Sequence, residues 1–251
     1  MKLSLNLIPL LLFCLLPQLL FAQQSFEQML PSFSKVFISD KIDLHLVEGK
    51  EEAAWVSYEN VDKDDIRLEV RGKKLRVYLK DCRRGCKPHS YPNGRVKLHL
   101  TYRNLEKLVV KGQQQVSHEG QLNQEAFVLK TYGDSKVMID DIQSNLFKAS
   151  LFGDGHLQAG KGSVSEMIIK SYGDQEVSLS QLSADFTKVK VFGDSYVDVQ
   201  VREKLHLMVL GALNLRCSGS PSLRRFVLGE LTADLEGTDQ DTSTWGVFFL
   251  W

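Results

Sequence analysis

Four aspartates, Asp134, Asp154, Asp174 and Asp194, recur at a fixed step of 20 residues. Each directly follows a glycine (Gly133, Gly153, Gly173, Gly193) and lies two residues after a ring (Tyr132, Phe152, Tyr172, Phe192). Clustered carboxylate oxygens suit hard cations, and neighbouring carboxylates can divide acid and base roles in glycan cleavage. The row therefore has two chemical readings, a file of cation sites or the acids of a catalytic groove. The third reading is structural: each aspartate accepts a backbone N–H at its own corner. One acid per corner falls well short of the roughly six or more oxygens calcium takes, which favours the structural reading. No metal is expected, and these four aspartates are the candidates should there be one. A catalytic site usually breaks repeat symmetry, whereas this row repeats identically, so no catalytic residue is expected.

The rings form a second column. Beside Lys130, Lys170 and Lys190, an exposed row of Tyr132, Phe152, Tyr172 and Phe192 can stack on sugar rings or anchor a protein partner. The competing reading is a ladder of rings that pack on one another and shield the corner. These seven residues are the expected binding surface. A basic segment, Arg83, Arg84, Lys87 and His89 with Tyr91 nearby, reads as a solvated loop or as a contact for an anionic glycan. No G-x-S-x-G, H-E-x-x-H or glycine-rich phosphate loop occurs, and no cofactor is expected.

The elements that position these columns follow from the same period. A repeat of about 20 residues with one turn signal per period marks a stacked, solenoid-like architecture. Six, four and two residues before each glycine, the columns Phe127/Phe147/Met167/Thr187, Leu129/Ala149/Ile169/Val189 and Thr131/Leu151/Ser171/Val191 are mainly apolar and should face inward. The columns between them, with Lys148 and Lys188 or Lys130, Lys170 and Lys190, should face out. After each glycine, Val137/Leu157/Val177/Val197 and Ile139/Ala159/Leu179/Val199 are apolar throughout. A weaker copy at Gly211 continues these columns with Leu215 and Cys217, which predicts a buried, unpaired thiol. An imperfect earlier copy lies at Gly112. The return segments carry apolar anchors such as Ile142, Val164 and Leu182.

The expected fold is all-β, a single-stranded right-handed parallel β-helix with about 20 residues per coil and coils about 4.8 Å apart. The glycine suits a corner that needs positive φ. Earlier in the chain, alternation marks strands around Ile42–Leu46, Ile66–Val70, Leu75–Leu79 and Val96–Leu100, with a tight turn at Arg71–Lys74.

The chain has 251 residues and equal numbers of basic and acidic side chains, 31 each, so nothing points to nucleic acid. Lys2 and the apolar run to Phe21, broken by Pro9 and Pro17 and ending at Ala22, read as a signal peptide over 1–22. Its only cysteine, Cys14, follows Phe13, which excludes a lipoprotein signal. The membrane is thus met only through the cleaved segment, and the product is exported to periplasm, cell surface or medium. Cys82 and Cys86 can close a small disulfide loop in an exported protein. The domain is read as 33–235, with 236–251 an aromatic tail that covers the open end of the stack. The other reading of that tail, a terminal strand of an outer-membrane barrel, needs many lipid-facing strands.

The segments Val36-Phe37-Ile38, Ile42-Asp43-Leu44, Glu48-Gly49, Leu75–Leu79, Val96–Tyr102 and Leu105–Gly112, with the stacked glycine corners, resemble the bacterial putative auto-transporter adhesin, head GIN domain family. The likeness spans about Phe33 to Gly229. The corner here is aromatic-Gly-Asp where that family usually has small Gly/Ser pairs. The resemblance implies a β-helix similar in shape to pectin-lyase-type folds, no assigned catalytic set, and a role in cell adhesion. The function expected is a non-enzymatic adhesin that binds a glycan or surface protein; a carbohydrate-active enzyme and an envelope scaffold are the alternatives.

Overall fold

Period-two alternation puts every second side chain on one face of a strand, and from Gln115 onward that face is the inside of a coil. A computed structural model describes residues 24–82, 91–236 and 245–246; the expected signal segment, the Arg83–His89 loop with Cys86, and nearly all of the aromatic tail lie outside them. The strands are β1 Gln24–Met29, β2 Lys35–Ile38, β3 Ile42–Glu48, β4 Ala53–Glu59, β5 Ile66–Arg71, β6 Lys74–Leu79, β7 Arg95–Tyr102, β8 Lys107–Lys111, β9 Gln115–Tyr132, β10 Lys136–Phe152, β11 Gly155–Tyr172, β12 Gln175–Ser218, β13 Ser222–Glu236 and β14 Trp245–Gly246. They form a β-solenoid of about six turns, with about 20 residues per turn.

Parallel pairing carries the stack. β10 pairs with β11 at a step of 20, for example Val137 with Leu157 and Phe152 with Tyr172, and β11 pairs with β12 at the same step. β9 joins β10 at a step of 21 before Ile139 and of 20 after Asp141, the offset absorbed by a bulge. The fixed step does not persist. β12 meets β13 at a step of 18, which aligns Gly211 with Gly229 and adds a corner without an aspartate, since Glu230 follows it.

The inward columns are buried as the alternation requires. Phe127, Phe147, Met167 and Thr187 are each at most 1% exposed, as are Val137, Leu157, Val177 and Val197. Ile142, Val164 and Leu182 close the returns. Cys217 is a buried free thiol, and burial pushes it up to about 11.

The N-terminal turns are less regular. β5 and β6 form an antiparallel hairpin across Gly72, while β2 lies parallel to both β6 and β8, and β3 parallel to both β7 and β9. β1 and β4 add antiparallel strands beside β7. The stretch ahead of the expected domain start at 33 thus contains a strand, Gln24–Met29. Its side chains are mostly exposed and its hold is backbone pairing to β4, which leaves no apolar period. β14 pairs antiparallel with β13 through Leu231–Trp245 and Glu230–Gly246.

One polar pair sits inside the first regular turn. The Tyr102 hydroxyl meets His118 Nε2, and both side chains are buried. Burial pushes His118 below its ordinary 6.5, with the charge of His45 acting in the same direction against Asp140. A histidine depressed in the folded state stays neutral while the unfolded chain takes up a proton. Its contribution to stability is therefore full above about pH 6.5 and is lost as pH falls below it. Denaturant midpoints should fall from pH 7 to about pH 5.5. The slope should be shallower in His118→Gln, whatever that variant's absolute stability; an unchanged slope would remove His118 from the account.

Candidate binding surface

The corner glycines stack directly. A Cβ on Gly133, Gly153 or Gly173 would lie 2.9, 3.0 or 2.5 Å from a backbone atom of the preceding corner glycine. With no side chain between corners, the residues on either side form two parallel files at coil spacing.

The file before the glycines is the aromatic ladder. Ring centroids are 4.9 Å apart for Tyr132–Phe152, 4.5 Å for Phe152–Tyr172 and 4.9 Å for Tyr172–Phe192, with planes within 6° of parallel. These separations match the spacing of parallel strands, about 4.8 Å. Of the two readings of this column, the geometry is the ladder: ring faces cover one another and the edges lie at the surface. Tyr132, at 38% exposed, is the most open ring, and Lys111 Nζ lies 5.7 Å from its centroid. Neither the Tyr132 nor the Tyr172 hydroxyl has a protein partner among the described residues.

The file after the glycines holds Asp134, Asp154, Asp174 and Asp194, all exposed, along a groove of about 720 Å³ that Glu176 also lines. The sequence placed each carboxylate on a backbone N–H at its own corner. The structure carries that bond one coil further: Asp134 Oδ1 accepts from the Asp154 N–H at 3.4 Å and Asp194 Oδ1 from the Ala212 N–H at 3.2 Å. Asp134 also accepts from Gln113 Nε2 at 2.7 Å. At a corner the next coil's N–H points along the stack, toward the preceding aspartate. Among the described residues no three His, Cys, Asp or Glu side chains are grouped closely enough to hold a metal ion.

On the other side of the ladder the outward columns are basic. Strand register sets Lys74, Lys35, Lys107, Val128, Lys148, Ile168 and Lys188 in one line. The same pairings set Arg76, Phe37, Val109, Lys130, Ser150, Lys170 and Lys190 in the next. The expected Lys130, Lys170 and Lys190 therefore do share a face with the ladder. The lines extend further than the repeat showed, through Lys107, Arg76 and Phe37 of the irregular N-terminal turns. Lysine stems lie half-buried along the sheet, heads outward. Burial, then Lys148, Lys190, Lys130 and Lys188, push Lys170 downward; burial, then Lys130, Lys35 and Lys74, do the same to Lys107.

The ladder is thus a ridge between a cationic face and a carboxylate groove. Such a ridge offers ring edges and hydroxyls at its crest and ammonium donors along one flank. Among the described residues no helix is long and apolar enough to cross a membrane.

The family described as putative auto-transporter adhesin, head GIN domain, matches residues 32–221. No curated protein matches the chain in sequence. Crystal structures of a putative adhesin from Parabacteroides merdae and of another from Bacteroides fragilis are similar, with TM-scores of 0.64 and 0.62. Each is 13% identical; the matches cover 85% of this chain and 95% and 96% of those chains. A putative lipid binding protein from Parabacteroides distasonis is similar at TM-score 0.57 and 13% identity, over 85% of this chain and 96% of its own.

Proposed function

The chain belongs to the putative auto-transporter adhesin, head GIN domain family, and from that premise we propose that it is an exported, non-enzymatic adhesion module that binds a glycan along the ladder ridge. The observation that carries this reading is the alignment of four stacked rings with two lysine-bearing columns on one side of the solenoid. A repeating surface with a period of about 4.8 Å suits a repeating polymer, since each coil offers similar contacts to successive units. Stacking on free ring faces, the usual sugar contact, is closed off within the ladder. Recognition would use ring edges, the Tyr132 and Tyr172 hydroxyls and the lysine heads. The carboxylates of Asp134 and Asp194, each capping the next coil, are employed in holding corners.

The double substitution Tyr132→Ala and Tyr172→Ala should abolish binding of the full chain to a glycan array while leaving a cooperative unfolding transition. Undiminished array binding would remove the ridge from the reading. Release of reducing ends from a bound polysaccharide, lost in Asp154→Asn, would replace the adhesion reading with an enzymatic one.

A further inference from the structure

At its N-terminal end the basic face closes into a cavity of about 470 Å³. Phe37, Arg76, Lys107, Lys111, Lys130 and Tyr132 line it, and no carboxylate does. Phe37 forms an aromatic wall with Lys107 Nζ at 5.8 Å and Lys74 Nζ at 5.0 Å from its ring centroid. Tyr132, the first ring of the ladder, stands opposite under Lys111. Glu69, across from Arg76, is held by Arg71 at 3.3 Å and by the Tyr78 hydroxyl, and Glu106, which precedes Lys107, lies 3.9 Å from Lys35.

From this cavity the lysine lines run up the stack to Lys188 and Lys190, a track of about 20 Å at parallel-strand spacing. Among the described residues none of Lys107, Lys111, Lys130, Lys148, Lys170, Lys188 and Lys190 forms an ion pair, whereas Lys35, Lys80 and Lys161 each do. Burial first, and after it the neighbouring lysines, depress Lys107 and Lys170. Repulsion between neighbouring lysines opposes folding and does not aid it. Five carboxylates, Asp134, Asp154, Asp174, Glu176 and Asp194, line the groove on the far side of the ridge. A cationic strip that is unpaired, aromatic-walled at one end and repeated at coil spacing is complementary to a polymer bearing one negative charge per few backbone atoms.

We propose that this face binds an anionic polysaccharide, with a carboxylate- or sulfate-bearing sugar seated in the Phe37–Tyr132 cavity and the chain laid along the lysine lines. This rests on the glycan-binding reading above and narrows it. Ammonium and guanidinium groups donate charge-assisted hydrogen bonds to the anionic groups, and the Phe37 ring takes the apolar flank of the seated sugar. A sugar polymer is favoured over a lipid surface because the face is anchored by a concave, aromatic-walled cavity, of which a flat bilayer would reach only the rim.

The test titrates the full chain with polygalacturonate, dextran sulfate, neutral dextran and phosphatidylglycerol vesicles. Both anionic polymers should bind, with affinity falling steeply between low and physiological salt, and neutral dextran should not. Lys107→Gln with Lys130→Gln and Lys170→Gln should weaken binding by on the order of tenfold or more. The same variant should melt at or above the parent temperature, because it relieves repulsion. A control change away from the lysine lines, Lys136→Gln with Lys161→Gln, should leave affinity unchanged. Binding of neutral dextran alone would overturn the anionic assignment and leave the adhesion reading standing. Binding to no carbohydrate would overturn both. Capture by the vesicles but not by the polymers would reassign the face to a membrane. Salt-sensitive self-association without polymer binding would reassign it to a second copy, its lysines against the carboxylate groove. A triple variant that melts well below the parent would mean that the lysines serve the fold.

Discussion

Gly173→Ala should cost about 3–5 kcal/mol of stability and lower the melting temperature by roughly 10–15 °C, from a single added methyl group. Two separate effects add. Gly173 has φ +107°, a region L-residues enter at a cost of about 1–3 kcal/mol. Its Cβ would lie 2.5 Å from the carbonyl oxygen of Gly153 in the preceding coil. Backbone cannot swing aside as a side chain can, so the coils must separate. The corner bond across that junction, Gly153 N–H to Tyr172 O at 3.0 Å, lengthens with that separation. Overpacking of this kind typically costs a further 1–3 kcal/mol or so. The control is Gly120→Ala. Gly120 also has positive φ, +83°, but nothing lies within 4 Å of the added carbon. It should show the conformational part alone, about 1–2 kcal/mol. Denaturant titrations of the two variants decide the matter. Equal losses would mean that the stacked corners can part freely and that the ladder spacing is not set by the glycines.

The column arithmetic that makes this prediction possible was open to sequence reading where the step is regular. Columns six, four and two residues before Gly133, Gly153, Gly173 and Gly193 are buried as alternation demands, and Cys217 follows from carrying the column six residues after each glycine to Gly211. The signal weakens where the motif loses letters. Gly211 is followed by Ala212 and Gly229 by Glu230, and Leu210 and Leu228 replace the rings, so the shortened step of 18 carries no aspartate to mark it. The surface was harder to read than the core. An inward column shows itself by uniform hydrophobicity, whereas an outward column alternates Lys148 with Ile168 or Lys130 with Ser150 and looks mixed. Its charge emerges only when Lys107, Lys74 and Arg76 are placed in line. That placement depends on β2 lying between β6 and β8, a long-range register that no local period encodes. The direction of the aspartate bonds was hidden for a related reason: a turn seen in sequence has only its own N–H groups to offer, whereas a stacked turn also has those of its neighbour.

Phe147→Ala should cost about 3–5 kcal/mol, while Phe152→Ala, five residues along the same strand, should cost less, about 1–3 kcal/mol. Phe147 is fully buried and lies parallel to Phe127, with centroids 5.9 Å apart and planes at 5°. Truncation removes the ring from a closed interior whose walls are the coils above and below. The parallel hydrogen bonds fix the coil spacing, so the walls cannot collapse into the space, and the cavity term adds in full to the lost burial. Phe152 points the other way. It is half-buried, already meets solvent at its edge, and loses two stacking partners, Tyr132 and Tyr172, each worth about 0.5–1.5 kcal/mol beyond area at most. Solvent then fills the gap. The two variants should also diverge in function, with Phe152→Ala weakening glycan binding at the smaller loss of stability and Phe147→Ala the reverse below its melting temperature. Thermal melts paired with polymer titrations read both quantities on the same samples. If Phe152→Ala proved the more destabilising, the ladder would be a principal support of the stack, and the ridge would have to be explained by folding before binding.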